Sequence, residues 1–483
     1  MRLKTPGAPP GSQTGENKMG VMSEGRLLLN MALPLMASML VQALYNIVDS
    51  AYVSHIADGG NALTALSLAF PIQNMIVGFG GGVAIGVNSL LSRSLGAGDR
   101  EKANYAAGNG VVLSALVSLL FVVFGVFFSR PFFAAQSENP GTIESGAVYA
   151  SICCILVGGV FFEFLFERML QATGRTFLTM ITQGTGAVIN IILDPILIFG
   201  LGPIPAMGVA GAAIATVIGQ WTAAGLALLF NLKRNPDVRF GKKYFRLQKD
   251  AVKQILTVGV PTTVMMAIGS VMNFGMNQIF QRMDPEETAT SVFGVYYKLQ
   301  SFFFMPVFGI NNATISILAY NYGAGRPERM TKTLRLSILS AAAIMLAGTL
   351  TFQFAPHLLL SIFKTDGRFL EMGITALRVI SIHFPVAAVC IILGATFQAV
   401  GIGVYSTITS LCRQLVALLP AALLLSLTGE VRFVWWAFPI AECISLLVSL
   451  LLFLRVYRKK IRPLKKEPES EDSVTSAPHT SAM

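Results

Sequence analysis

The chain has 483 residues, of which 53% are hydrophobic and only 13% are charged, whereas soluble domains carry about 25% charged residues. Its mean hydropathy of +0.63, with charges confined to the tails and a few connections, excludes an ordinary soluble domain and indicates an integral membrane protein. The net charge of +11 follows the same connections, so it indicates membrane topology and not nucleic-acid binding.

Residues 1–26 are predicted to form a disordered tail, because the first 20 residues are rich in Pro, Gly, Ser and Gln and contain no apolar run. Apolar stretches of about 20 residues then predict twelve membrane-spanning helices. Arg413 interrupts the eleventh of them, and residues 457–483 form a second predicted tail. The twelve spans are predicted at 27–53, 61–90, 107–133, 145–170, 178–200, 208–231, 252–280, 288–318, 334–360, 371–399, 404–427 and 434–456.

Lysine and arginine residues orient these helices, because cytoplasmic loops are enriched in them. They cluster before the first helix, in the 2–3 and 8–9 loops, in the 6–7 connection and after the last helix, whereas the 1–2 and 5–6 loops have none. With an even number of helices, all five basic segments fall on one side of the membrane. Both termini are therefore predicted to be cytoplasmic.

The sequence contains an internal repeat with a constant offset of 227 residues. Pro34 recurs as Pro261, and Gly82 recurs as Gly309. A constant offset without gaps predicts two copies of one structural unit. The expected units are a six-helix half at 27–231, a basic cytoplasmic linker at 232–251 and a second half at 252–456. Six helices per half keep both copies in the same orientation, so the repeats are parallel.

The sequence contains no recognisable arrangement of metal-binding or nucleophilic residues that would indicate an enzyme. The five cysteines lie in apolar stretches without CxxC spacing, and the four histidines are scattered singly, so neither a metal cluster nor a disulfide framework is predicted. The Gly-Ala-Gly segments do not continue into a phosphate-binding loop, which leaves ATP unsupported as a direct energy source.

The first helix carries a polar stripe at membrane depth. Gln42, Tyr45, Asn46 and Asp49 stand at positions i, i+3, i+4 and i+7, on one face of a helix. In lipid this face must contact other helices or a water-filled cavity. Asp49 is therefore a candidate functional residue, the alternative being a structural, hydrogen-bonded carboxylate near a helix end.

The fifth helix carries a second candidate. Asn190 and Asp194 are one turn apart on one face, and Pro195 frees a backbone carbonyl in the preceding turn. Broken helix geometry beside a carboxylate is expected here and suits a cation. The alternative is a polar helix end kinked by proline.

The repeat tests these candidates. The offset of 227 pairs Asp49 with Met276 and Asp194 with Ala421, so the backbone plan is duplicated but the carboxylates are not. Cation coupling is therefore predicted only in the N-terminal half. The C-terminal half is expected to line the substrate cavity and to move against the N-terminal half.

The remaining intramembrane charges have no assigned role. Glu163 and Glu167 are one turn apart and precede Arg168, which favours structural pairing. Lys298 either faces a cavity, snorkels to the surface or pairs with a carboxylate. The remaining charges are candidates for polar contacts between helices, and they are Arg378, Arg413 and Glu442.

Several motifs, in their order and spacing, resemble the MATE family, the multidrug and toxic compound extrusion transporters, in its bacterial multidrug branch. The resemblance covers about 27 to 456, essentially everything between the tails. The matching stretches are 34–49, 95–99, 190–195, 211–216 and 320–325.

The resemblance implies an all-α polytopic membrane protein with twelve transmembrane helices in two six-helix bundles, related by a parallel pseudo-two-fold repeat. It implies a monomer in the bacterial cytoplasmic membrane that exports small organic cations in exchange for H⁺ or Na⁺, without a cofactor. Other branches of the family place acidic residues in helices 7 and 10, which lack central carboxylates here. Carried over, the cation-coupling or substrate residues are Asp49, Asn190, Asp194 and Thr216, joined by Gln42, Tyr45 and Asn46 of the polar stripe, with Pro34 supporting bending of helix 1.

The resulting hypothesis is that Asp49 and Asp194 hold a proton, Na⁺ or the positive charge of the substrate in turn. Both ions remain possible, because carboxylates and amides serve both, and a Na⁺ site would use Asp49, Asn190 and Asp194. The alternative function is a flippase for a lipid-linked precursor or oligosaccharide, which needs a basic cavity. Only Lys298, Arg378 and Arg413 are available to supply it.

Overall fold

The computed structural model describes residues 17–56, 59–361, 363 and 367–464, without the side chains of residues 45–47, 50–51, 53–54, 59–60 and 63. Within this part of the chain, ten helices are long and apolar enough to span a membrane. Two further spans are bent helix pairs, which bring the number to twelve. The predicted all-helical architecture with twelve spans is confirmed.

The N-terminal half begins with a short helix and then forms a bundle of six spans. Its helices are α1 (Lys18–Val21), α2 (Glu24–Ser54), α3 (Gly59–Gly96), α4 (Arg100–Phe127), α5 (Ser129–Ala134), α6 (Pro140–Ile155), α7 (Gly158–Ala172), α8 (Thr176–Phe199) and α9 (Val209–Arg234).

The C-terminal half repeats this plan. Its helices are α10 (Lys249–Met283), α11 (Thr288–Gly323), α12 (Pro327–Phe354), α13 (Pro356–Leu360), α14 (Gly367–Ser381), α15 (Phe384–Ala399), α16 (Gly403–Leu411), α17 (Leu419–Ser426), α18 (Val431–Val434) and α19 (Ala437–Val456). A π-helical stretch, Cys412–Leu418, joins α16 to α17, and another, Tyr457–Ile461, follows α19.

Two spans that the sequence predicts as continuous, 145–170 and 371–399, are bent at equivalent positions of the two halves. The break between α6 and α7 bends the chain by 44°, and that between α14 and α15 bends it by 47°. Gly158 begins α7 where Trp221 packs against the backbone, and Pro385 stands in the first turn of α15. A proline in the first turn suits the start of a new helix. The packing of Trp221 therefore accounts for the first bend, and Pro385 accounts for the second.

Arg413 lies within a continuous span, as the prediction at 404–427 requires, but the helix changes its winding there. The stretch Cys412–Leu418 is π-helical, and Pro420 follows directly in the first turn of α17. Because proline has no N–H, the α-helical hydrogen bonding is interrupted before it, and a wider turn accommodates the interruption.

The two bundles contact each other through a pseudo-two-fold interface. Helix α3 packs along α10, α2 packs along α11, and α3 also contacts α11. A Cβ atom at Gly96 would overlap the carbonyl oxygen of Tyr320, and one at Gly323 would overlap the carbonyl oxygen of Arg93. The offset of 227 exchanges these two contacts, so glycine permits the same close approach twice.

These contacts lie toward one end of the molecule, the end at which α3 and α11 finish, here called the basic end. The hydroxyl of Ser89 donates to the carbonyl of Gln398 (2.6 Å), and that of Ser316 donates to Asn88 Oδ1 (3.1 Å). Contacts extend to the middle of the helices, where Asn74 donates to Ser270 (3.3 Å). The bundles are therefore joined between the basic end and mid-membrane.

The prediction of a disordered tail at 1–26 is wrong for residues 17–26. Residues 17–22, here called the N-terminal strap, include α1 and contact both bundles: Asn17 donates to the carbonyl of Thr173, and Arg326 donates to the carbonyl of Gly20. Met19 is fully buried. The Met19 side chain and the backbone carbonyls that accept from arginine anchor this segment, although its composition resembles that of a tail.

The connection predicted as a basic linker at 232–251 lies against the N-terminal bundle. Helix α9 continues to Arg234 and α10 starts at Lys249, so the non-helical part is shorter than predicted. The amide of Asn109 donates to the carbonyls of Tyr244 and Arg246 (both 3.1 Å), and its oxygen accepts from the backbone N–H of Gln248 (2.8 Å). At the other end of the chain, helical winding continues to Ile461, beyond the predicted start of the tail at 457.

Candidate cation site in the N-terminal bundle

Helices α8 and α9 approach each other closely just beside the predicted site. A Cβ atom at Gly219 would lie 2.8 Å from the carbonyl oxygen of Gly186, and one at Gly186 would lie 3.1 Å from that of Gly219. Glycine at both positions is therefore needed for the two backbones to meet. One turn further along, this approach brings Thr216 of α9 next to Asn190 of α8.

Asn190 connects Asp194 to Thr216 inside the bundle. Asp194 is fully buried and Asn190 is 2% exposed. With its amide nitrogen toward Asp194, Asn190 donates to Oδ2 at 2.9 Å and its oxygen accepts from the backbone N–H of Thr216 at 3.0 Å. In the less favourable amide orientation its nitrogen lies 3.3 Å from Thr216 Oγ1 and 3.4 Å from Asp194 Oδ1. The structure thus brings three of the predicted site residues into one hydrogen-bonded group.

Asp49 reaches the same region from α2, which packs along α8. Its side chain is partly buried, and its Oδ1 atom is buried without a hydrogen-bond partner. The Asp49 and Asp194 carboxylates are close enough to interact electrostatically. A buried carboxylate oxygen without a donor is unfavourable, so Asp49 is open to a proton or a cation.

The remaining predicted residues are less closely connected to this group. Gln42 is exposed. The carbonyl of Pro34 accepts a hydrogen bond from Ser38 (3.0 Å), within an α2 that is helical on both sides of the proline. The side chains of Tyr45 and Asn46 lie outside the described residues.

The broken helix expected at Pro195 is not observed. Helix α8 runs unbroken from Thr176 to Phe199 with the proline inside it. The residues after Pro195 are held by α9 and the preceding loop, because Met207 and Gly208 donate their backbone N–H groups to Leu197 and Ile198. The site is therefore formed by side chains of intact helices.

Glu167, another intramembrane charge of the N-terminal half, contacts α8. Glu167 is buried and accepts hydrogen bonds from Thr182 Oγ1 (2.7 Å) and Gln183 Nε2 (2.8 Å), partners that the sequence analysis did not identify. Arg168, the expected pairing residue, donates to Gln171 (2.9 Å). The contacts of Glu167 join α7 to α8, whereas the Arg168 contact lies within α7, and neither involves the Asp194 group.

The equivalent positions of the C-terminal half are apolar. Met276 is fully buried, and it stands where the first half has Asp49. Within the described residues, no group of three or more His, Cys, Asp or Glu side chains is arranged to hold a metal ion. The Asp194 group supplies carboxylate, amide and hydroxyl oxygens, which are ligands suited to a hard monovalent cation and equally able to bind a proton.

Comparison with known proteins agrees with this architecture. The family model MatE matches residues 34–196 and again residues 261–423, two segments that are separated by the same offset of 227. Together they cover more than half of the chain.

Named relatives and solved structures extend the match over almost the whole chain. The multidrug export protein MepA of Staphylococcus haemolyticus is 24% identical over 88% of this chain and 92% of its own. The FAD transporter of Shewanella oneidensis is 27% identical over 88% of this chain and 94% of its own. A multidrug resistance MATE transporter solved in an outward-facing conformation superposes with a TM-score of 0.85 at 25% identity, covering 93% of this chain and 99% of that one. The chain is thus a multi-pass membrane protein, and it belongs to the MatE family, the MATE transporters that its motifs resemble.

Proposed function

We propose that this protein is a secondary active multidrug exporter, which moves cationic amphipathic compounds out of the cell as H⁺ or Na⁺ enters. The observation that carries the proposal is the buried pair Asp194 and Asn190 of α8, with the unpartnered carboxylate oxygen of Asp49 on the neighbouring α2, in a MatE-family fold. Burying a carboxylate without a counter-charge costs several kcal/mol. A proton, Na⁺ or the charge of the substrate would each remove this cost.

Asn190 suits both charge states of Asp194. An amide nitrogen facing Asp194 stabilises the charged carboxylate by donating to it, whereas an amide oxygen facing Asp194 accepts from the protonated acid or coordinates a cation. In the orientation that satisfies its hydrogen bonds, Asn190 donates to Asp194 and accepts from the backbone N–H of Thr216. Loading of the group is proposed to turn the Asn190 amide over, so that its oxygen faces Asp194.

The transport step is proposed to be a rocking of the two bundles. If the basic segments are cytoplasmic, as their Lys and Arg content favours, then the contacts at the basic end close the cytoplasmic side in the conformation described. The opposite conformation requires the contacts between α3 and α11 to separate. A bound cation shifts this equilibrium only by its different affinity for the two conformations.

The experiment uses the full-length protein in liposomes, with a fluorescent cationic dye and an imposed gradient of either pH or Na⁺. We expect one of the two gradients to drive dye movement in the wild type. Asp49→Asn and Asp194→Asn are each expected to reduce it to the level of protein-free liposomes, because a neutral amide neither takes up a proton nor attracts a cation in the same way.

The matched control is Glu138→Gln, which removes an exposed carboxylate outside the helices and is expected to transport like the wild type. Full-rate efflux by Asp49→Asn and Asp194→Asn under both gradients would show that the aspartates do not couple the ion. The gradient that drives the wild type identifies that ion.

Export of an anionic flavin dinucleotide is a second candidate, because one curated relative is named an FAD transporter. Lys298 and Arg378 are exposed side chains of the C-terminal bundle that offer positive charge. The same liposomes, loaded with FAD in place of the dye, separate the two candidates. The multidrug relatives favour efflux over the flipping of a lipid-linked precursor.

A further inference from the structure

The C-terminal bundle contains a buried ionisable cluster that has no counterpart in the Asp194 group. Its members are Glu442 of α19, His383 at the start of α15 and Arg413 of the π-helical stretch. Glu442 is 3% exposed and His383 is 7% exposed. Glu442 Oε2 lies 3.7 Å from both His383 Nδ1 and Arg413 Nη1. Other ionisable groups that face the cluster are the Cys390 thiol of α15 and the phenols of Tyr296 and Tyr297 of α11.

The hydrogen bonds of Tyr296 determine which ring nitrogen of His383 carries a proton. The Tyr296 hydroxyl donates to Gln300 Oε1 at 2.7 Å, and an amide oxygen can only accept. The Tyr296 oxygen is then left to accept from His383 Nε2, which lies at 3.3 Å. In neutral His383 the proton is therefore on Nε2, and the lone pair of Nδ1 faces Glu442.

Two acceptors thus face each other inside the bundle. His383 Nδ1 is buried without a hydrogen-bond partner, and it faces Glu442 Oε2 at 3.7 Å, which is too long for a hydrogen bond. The other carboxylate oxygen of Glu442, Oε1, is also buried without a hydrogen-bond partner. Leaving two buried acceptors unsatisfied is unfavourable. A proton on either one turns that group into a donor for the other, and a small side-chain movement closes the gap.

Arg413 is held only loosely against this pair. Its Nη1 atom is also beyond hydrogen-bond distance from Glu442, and 29% of its side chain is exposed. With Arg413 charged, Glu442 charged and His383 neutral, the three side chains carry no net charge. Taking up one proton raises the cluster to +1, a charge that the partly exposed guanidinium can share with solvent.

The cluster is not required by the repeated fold. In the N-terminal bundle, one repeat of 227 residues earlier, the corresponding positions carry small or apolar side chains, and the helices pack there without polar contacts of this kind. These positions are Leu156, Gly186 and Ala215.

We propose that Glu442 and His383 form a proton-binding site in the C-terminal bundle, opposed by the guanidinium of Arg413 and separate from the Asp49 and Asp194 site. The proton is shared between Glu442 Oε and His383 Nδ1, and its uptake releases Glu442 from the attraction of Arg413. The inference does not rest on the proposed export function, because a proton can bind here whether or not Asp49 and Asp194 couple transport.

Infrared difference spectroscopy of the purified full-length protein on a pH step tests this directly, because a protonated carboxyl group has its own C=O absorption. The comparison is made in the Asp49→Asn/Asp194→Asn background, so that the first site does not contribute. We expect Glu442→Gln to lose one carboxylic-acid band. Glu430→Gln, which removes an exposed glutamate beside Arg432, is expected to retain it. Identical difference spectra for the parent and Glu442→Gln would overturn the proposal.

A second variant covers the case in which Glu442→Gln does not fold. His383→Asn keeps a residue that can precede a helix but removes the nitrogen that shares the proton. If the proton is shared, the carboxylic-acid band shifts in frequency in this variant. If Glu442 is a permanently charged partner of Arg413, the spectrum does not change, and the proposal is wrong.

Discussion

The two bundles are built on one plan but contain different chemistry. Their interface is symmetric to the level of single backbone contacts, since Gly96 meets Tyr320 as Gly323 meets Arg93. Their polar interiors are not, because the first bundle contains Asp194 with Asn190 and the second contains Glu442 with His383. The backbone contacts of the interface are therefore the same in both halves, whereas the buried charged side chains differ.

The largest expected effect comes from moving a carboxylate between the bundles. In the combined variant Asp194→Ala with Ala421→Asp, the number of carboxylates is unchanged but the new one stands next to Ala417, where the first half has Asn190. We expect dye efflux in liposomes to fall more than about tenfold, equivalent to about 1.4 kcal/mol, because no amide supports the moved charge.

The conservative replacement Ala421→Ser alone is the control and should transport like the wild type. Restoration of efflux by the moved carboxylate would mean that the position of a charge, and not its surroundings, defines the coupling site. Size-exclusion profiles of all variants show whether the loss reflects misfolding.

The symmetry of the contacts between the two bundles can be tested at the two interface glycines. Gly96→Val and Gly323→Val each place a side chain where the partner helix has a carbonyl oxygen, so both are expected to lower stability by about 1–3 kcal/mol, the range for overpacking. The two losses should be similar, as measured by thermal unfolding in detergent.

Gly225→Ala is the matched control, since a Cβ atom there meets nothing within 4 Å and alanine favours a helix by up to about 1 kcal/mol. A large loss for one interface glycine and none for the other would contradict the pseudo-two-fold contact.

The smallest effect is expected at Thr216. Thr216→Ala removes the hydroxyl but keeps the backbone N–H to which Asn190 Oδ1 binds at 3.0 Å. One neutral hydrogen bond contributes about 1 kcal/mol, so the driving-ion concentration for half-maximal efflux should rise by no more than about fivefold. A complete loss would show that the hydroxyl oxygen is itself an essential ligand.

The fold was largely accessible from the sequence because its determinants are periodic. Apolar length predicts the spans, and the constant offset that pairs Pro34 with Pro261 predicts the duplication. The bends before α7 and α15 were missed, because a window of apolar residues does not register a break of two residues. The π-helical turn at Arg413 was missed for a similar reason, since it depends on Pro420 and on packing against α19.

Only part of the candidate site could be predicted from the sequence. The i, i+4 spacing of Asn190 and Asp194 gives their shared face, but the contact with Thr216 depends on Gly186 and Gly219 meeting across two helices. The cluster around Glu442 combines residues 59 positions apart or less only in the folded bundle, and His383, a single histidine in an apolar stretch, gave no signal. Long-range contacts between single residues are not periodic, so no pattern reports them.

The segment that precedes each half of the chain makes contacts with the other half. The N-terminal strap precedes the first half yet binds Arg326 and Arg329 of the second, whereas the segment preceding the second half binds Asn109 of the first. The strap therefore fastens the basic ends of the two bundles to each other, independently of the peptide at 235–248 that joins them.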